Sequence, residues 1–177
     1  MGYDTTNLEL QKLLFFCHSN HLLNTKTRLM SGYFEAWDYG PVHPIVYRAF
    51  KVFKGQPIQF EAQNVDPFTK KELPVPDTLS AEEKTSISST VSSLSRFTAA
   101  QLVDLSHRPD GPWSAVVAKA SEGTVLGMRI TDELIISCAR NSRIVSSDTI
   151  SSRVGRAAEP DGVRYYVEEP IAGYGPG

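Results

Sequence analysis

Cysteine is scarce in this chain: Cys17 and Cys138 are the only two in 177 residues. Both fall among helical apolar residues, where a free thiol behaves as a small hydrophobe, and their spacing supports neither a disulfide framework nor a metal pair. An excess of charge is lacking too. With 18 basic and 20 acidic side chains the net charge is −2, so no overall field draws in phosphate backbones or an anionic membrane, and nucleic acid is not indicated as a partner. No apolar run approaches the roughly 20 residues of a membrane span, and the N-terminus carries a polar capping sequence in place of a basic-then-apolar leader. A cytoplasmic protein is expected.

The chemistry-bearing motifs are missing as well. There is no phosphate-cradling glycine loop, no zinc-spaced Cys and His set, no nucleophile elbow and no paired catalytic carboxylates. His18 and His21 stand three apart on one helix, but no further ligand lies at a helpful spacing, which favours a core or surface pair over a metal site. His43 and His107 sit at turns that bound helices. A backbone-bonded structural role is favoured for both, against a cleft lined by Tyr39, His43 and His107 in which they would titrate. Neither an enzyme nor a cofactor is expected.

What remains is a globular composition, 41% hydrophobic and 21% charged, at the size of one domain with a tail. The organising stretch is Glu35–Phe50. Tyr33, Phe34, Trp37 and Tyr39 suit a half-buried strand, Gly40-Pro41 should end it, and Pro44 should open an amphipathic helix carrying Ile45, Val46, Ala49, Phe50 and Phe53, with Gly55 as its stop. Upstream, Thr6 and Glu9 form a capping box. The helix it opens runs to about residue 23, with Leu10, Leu13, Leu14, Cys17 and His21 on one face and enough other apolar residues to make it the central helix.

Downstream, prolines at 57, 67, 74 and 76 exclude a long helix, although Pro57–Phe60 could add a short strand beside the aromatic one. Ser80 with Glu83 and Thr98 with Gln101 are further capping boxes. The first opens a serine-rich helix with a thin stripe of Ile87, Val91 and Leu94, and the second opens a short helix closed by Ser106–Pro109. Pro112 starts a helix with Trp113, Val116 and Val117 facing inward, 122–127 reads as a loop or short extended piece, and Thr131 starts a last helix. Residues 156–167 admit a hairpin, and 170–177 have the composition of a tail. Of Trp37, Tyr39, Tyr47 and Trp113, about one is expected to be exposed.

Three stretches in this order, Asn7–Phe16 (NLELQKLLFF), Glu35–Val42 (EAWDYGPV) with Pro44 and Tyr47, and Leu105–His107 followed by Gly111–Trp113, resemble the Panacea domain of SocA-like antitoxins and phage-associated proteins. The resemblance implies a mainly α domain with a minor β element around residues 31–39, spanning residues 1–140, and a C-terminal extension over 141–177. It implies no catalysis. It implies an antitoxin that neutralises a cognate protein toxin by direct contact, or an adaptor that delivers the toxin to a cytoplasmic protease such as ClpXP. The family-motif positions are Leu10, Lys12, Leu13, Trp37, Tyr39, Gly40, Pro41, Val42, Pro44, Tyr47, His107, Pro112 and Trp113, which should mostly hold the fold. Toxin contacts are expected from the C-terminal segment and the proline-rich loop. Many such domains carry an extra N-terminal helix, absent here, so apolar surface on the first helix should be covered by a partner or by the C-terminal segment.

Overall fold

The computed structural model describes residues 5–66, 68–121 and 128–141. The hairpin expected at 156–167, the tail, and the loop at 122–127 lie outside the described residues. The described part is mainly α with minor β, as the sequence indicates. Its first helix, α1 (Asn7–Thr25), opens on the capping box of Thr6 and Glu9 and closes on Lys26, whose left-handed backbone (φ 63°) lets its N–H reach Leu22 O. It is the central helix, contacted by the helices at 44–50, 81–94, 99–106 and 132–141 and by the sheet.

The aromatic stretch forms a hairpin where one strand was expected. β1 (Phe34–Trp37) turns through Asp38 and Tyr39 into β2 (Gly40–Val42), with Trp37 opposite Gly40. Gly40-Pro41 therefore starts a strand; it does not merely end one. Proline is tolerated there because β2 lies at the edge of a three-stranded sheet with β1 in the middle. The third strand, β5 (Arg129–Ile130), pairs antiparallel with β1 across a long stretch of chain. Two residues carry no alternation for a sequence pattern to detect.

α2 (Pro44–Phe50) begins at the proline as expected and ends in a 3-10 turn, Lys51–Phe53. Its apolar face is narrower than the spacing suggests: Phe50 is buried, but Ile45 and Ala49 are exposed. Pro57 and Ile58 pair with Thr5 and Thr6 at the head of α1, not with the aromatic strand. The proline-rich loop carries its own hairpin, β3 (Gln63–Val65) with β4 (Glu72–Pro74). Then come α3 (Ala81–Leu94) and α4 (Ala99–Ser106), both opened by the capping boxes read from the sequence, followed by α5 (Pro112–Ser121) and α6 (Asp132–Asn141).

The core joins Phe15 and Leu22 of α1, Phe34 and Ala36 of β1, Ile130 and Ile135, with Trp113, Val116 and Val117 packed against it. Burying each of the large side chains contributes about 1.5–3 kcal/mol. α1 itself inverts the usual pattern. Its fully buried residues include Asn7, Gln11, Lys12, His18 and His21, while Leu10, Leu13 and Leu14 are only half-buried. The polar side is covered because its side chains bond neighbouring segments, which makes their burial tolerable.

Candidate functional site

Gln11 and Lys12 tie α1 to the β1–β2 hairpin. Gln11 Oε1 accepts from His43 N at 2.9 Å, and Gln11 Nε2 donates to Asn7 Oδ1 at 3.0 Å. Asn7 Nδ2 in turn donates to Tyr47 O at 3.2 Å. Lys12, with 0% of its surface exposed, donates through Nζ to Pro41 O at 3.0 Å. Burial without a carboxylate partner among the described residues lowers its pKa from 10.5 to about 7.

Gly40 is the point on which these elements converge. Its φ of 97° suits glycine, and a Cβ there would collide with Ser106 Oγ and lie 2.9 Å from Lys12 Nζ and 3.2 Å from His107 Nε2. Two elements thus press on this α-carbon of the hairpin: α1 and the end of α4. Ser106 Oγ donates to Val103 O at 2.7 Å, and His107 stacks on Trp113 with ring centroids 3.7 Å apart. Burial, and then the Lys12 charge, hold the His107 pKa below its ordinary value, with Asp104 opposing. Trp113 Nε1 donates to Trp37 O at 2.8 Å, so α5 clamps the end of β1, and Trp37 meets Tyr47 edge-on at 4.8 Å.

Most of the motif positions therefore face inward. Gly40, Pro41, Val42 and Pro44 are buried, and Trp37, Tyr47, Pro112 and Trp113 are half-buried. Tyr39 is the exposed one of the four large aromatics, at 43%. Leu10 and Leu13 line an open groove. The structure does not bring Tyr39, His43 and His107 together: His43 Nε2 donates to Ser31 O at 2.9 Å and its ring meets Phe34, and no hydrogen bond or ring contact joins the three among the described residues. His18 and His21 are likewise occupied, with Asp132 and Thr27. No group of three metal-ligand side chains occurs among the described residues. Sequence reasoning singled out neither Gln11 nor Ser106; both lie inside stretches quoted for the family, but their roles depend on partners about 30 or more residues away, beyond the reach of local periodicity.

The surface feature best suited to a partner is the β3–β4 hairpin. Its turn is built from Asp66, whose Oδ1 accepts from Phe68 N and Thr69 N, both at 2.8 Å. Those backbone bonds hold the carboxyl below the usual range. The turn presents Phe68 outward at 92% exposure, and Val65 and Leu73 of the hairpin strands are exposed as well. An ordered turn that holds a phenylalanine in water is unfavourable for the free protein and characteristic of a contact surface.

The family model described as "Antitoxin SocA-like, Panacea domain" matches residues 10–114. Antitoxin SocA of Caulobacter vibrioides (strain NA1000 / CB15N) is 35% identical over 130 residues, covering 73% of this chain and 69% of that protein. No solved structure matches the chain.

Proposed function

Because the chain belongs to the family of SocA-like antitoxins with a Panacea domain, we propose that it neutralises a cognate protein toxin by direct contact in the cytoplasm, without catalysis. The observation that carries the contact site is Phe68, held out by the Asp66 turn at 92% exposure. Among the described residues no helix is long and apolar enough to cross a membrane.

The inward motif residues set the scaffold, and the hairpin supplies the contact. A large exposed aromatic at the tip of a hydrogen-bonded turn is the kind of residue that dominates interfaces. The test is co-expression with the neighbouring gene's product. Wild-type protein should capture that product and restore growth. Phe68→Asp should lower capture at least tenfold with an unchanged melting midpoint, whereas Ile45→Asp, on exposed surface of α2, should retain it. A neighbour that is neither toxic nor bound overturns the antitoxin reading; full capture by Phe68→Asp overturns the hairpin as contact site. The abundance of the captured product distinguishes two outcomes: blocking leaves it intact, and delivery to a protease depletes it.

A further inference from the structure

The β3–β4 hairpin has two outer edges, and their chemistry differs. Pro74 carries no N–H, so it cannot exchange two backbone bonds with Gln63, the residue opposite it. Antiparallel pairs alternate, which makes Asn64 and Leu73 the exchanging pair; Asp66, two residues on, donates its N–H to Lys71 O at 2.9 Å as that alternation requires. Gln63 and Val65 therefore turn their N–H and C=O groups away from β4, and Glu72 and Pro74 turn theirs away from β3. Both outer edges are unpaired among the described residues, because this sheet has only two strands.

The β4 edge is guarded. Pro74 offers no donor, Pro76 follows, and Lys70, Lys71 and Glu72 bring charge to that side of the hairpin. β3 has none of these devices: Gln63, Asn64 and Val65 are uncharged, contain no proline and are all exposed. A row of donors and acceptors left open opposite a guarded one is a template for an extended chain.

We propose, resting on the antitoxin reading above, that an extended segment of the bound protein adds to the hairpin as a third strand along Gln63–Val65. The incoming segment meets Gln63 and Val65 with its own N–H and C=O groups, so it carries no proline at those two places. Its side chain level with Val65 shares a face with Val65 and Pro74, where an apolar residue fits. Phe68, in the turn past the end of β3, supplies the side-chain anchor, and the backbone bonds set the register.

The experiment uses the full chain and the neighbouring gene's product. Val65→Pro and Glu72→Pro each remove one outward N–H, on opposite edges, and neither removes a bond between the strands. Val65→Pro should lower capture about tenfold or more, while Glu72→Pro and Val65→Ala, which keep the N–H of Val65 or its alanine replacement, should stay within about threefold. Melting midpoints should be unchanged in all three. Amide exchange on the wild-type complex gives a reading that does not depend on how the variants fold: the Gln63 and Val65 amides should slow about tenfold or more on binding, and that of Glu72 should not. Equal loss in the two proline variants, or unprotected Gln63 and Val65 amides in the complex, overturns the added strand. Full capture by Val65→Pro with loss in Phe68→Asp keeps the hairpin as contact and overturns strand addition alone. If the wild type captures nothing, the antitoxin reading falls and the added strand falls with it. Protection of the same two amides in the free protein, rising with its concentration, assigns the edge to a second copy of the chain and overturns the proposal as well.

Discussion

Lys12 is the side chain whose environment departs furthest from its usual one, and its consequences are measurable. Its pKa is about 7 in the fold against 10.5 for an unburied lysine. Between those values the unfolded chain binds more protons than the native one, so stability rises with pH across the window from about 7 to 10.5. The slope approaches about 1.4 kcal/mol per pH unit at its steepest. Urea midpoints should climb between pH 7 and pH 9 in the wild type and stay nearly level in Lys12→Met; a flat wild-type profile contradicts the buried neutral lysine. His107, whose pKa is lowered from 6.5, acts in the same direction below that value. Gly40 gives a second test. Alanine there combines a strained backbone at φ 97° with a collision against Ser106, so Gly40→Ala should cost about 2–4 kcal/mol by denaturation.

Among the elements, α3 is held by its cap and its neighbours more than by its composition. Ser80 Oγ accepts from Glu83 N at 3.2 Å while Glu83 Oε2 accepts from Ser80 N at 2.7 Å. Ser80→Ala should cost about 1 kcal/mol, and Ser92→Ala, at an exposed interior position, should gain about 0.5 kcal/mol through helix propensity alone. Opposite signs from two serine-to-alanine changes in one helix, read as shifts in the denaturation midpoint, separate capping from propensity. Three capping boxes were legible because their donors and acceptors lie three residues apart. The β1–β2 hairpin was legible only in part, since its forced turn was plain while its second strand, three residues with a proline, had no pattern. Trp113→Phe should cost about 1–3 kcal/mol, because Trp37 O loses its donor.

At the scale of the molecule, stability is uneven. α1 is enclosed by helices and sheet, while every strand residue of the β3–β4 hairpin is exposed. Amide exchange should therefore be slow along residues 11–22 and fast along 63–74, by several orders of magnitude. Equal protection in both would mean that the hairpin is buried, and Phe68 could then no longer be offered as a docking residue.

The sequence by itself determined the helices, their starts, the central place of α1 and the family, because capping boxes, prolines and apolar periodicity act over a few residues and are written directly in the chain. Which side of α1 is buried was decided only by the tertiary structure. Periodicity assigns the leucines to the core, yet Asn7, Gln11 and Lys12 lie deeper, because acceptors and donors at Pro41, His43 and Tyr47 lie opposite them. The same holds for the closure of β5 on β1, for the convergence of Lys12, Ser106 and His107 on Gly40, and for the exposure of Phe68. Each depends on partners brought together from distant parts of the chain, and hydrogen-bond complementarity of that kind has no local signature.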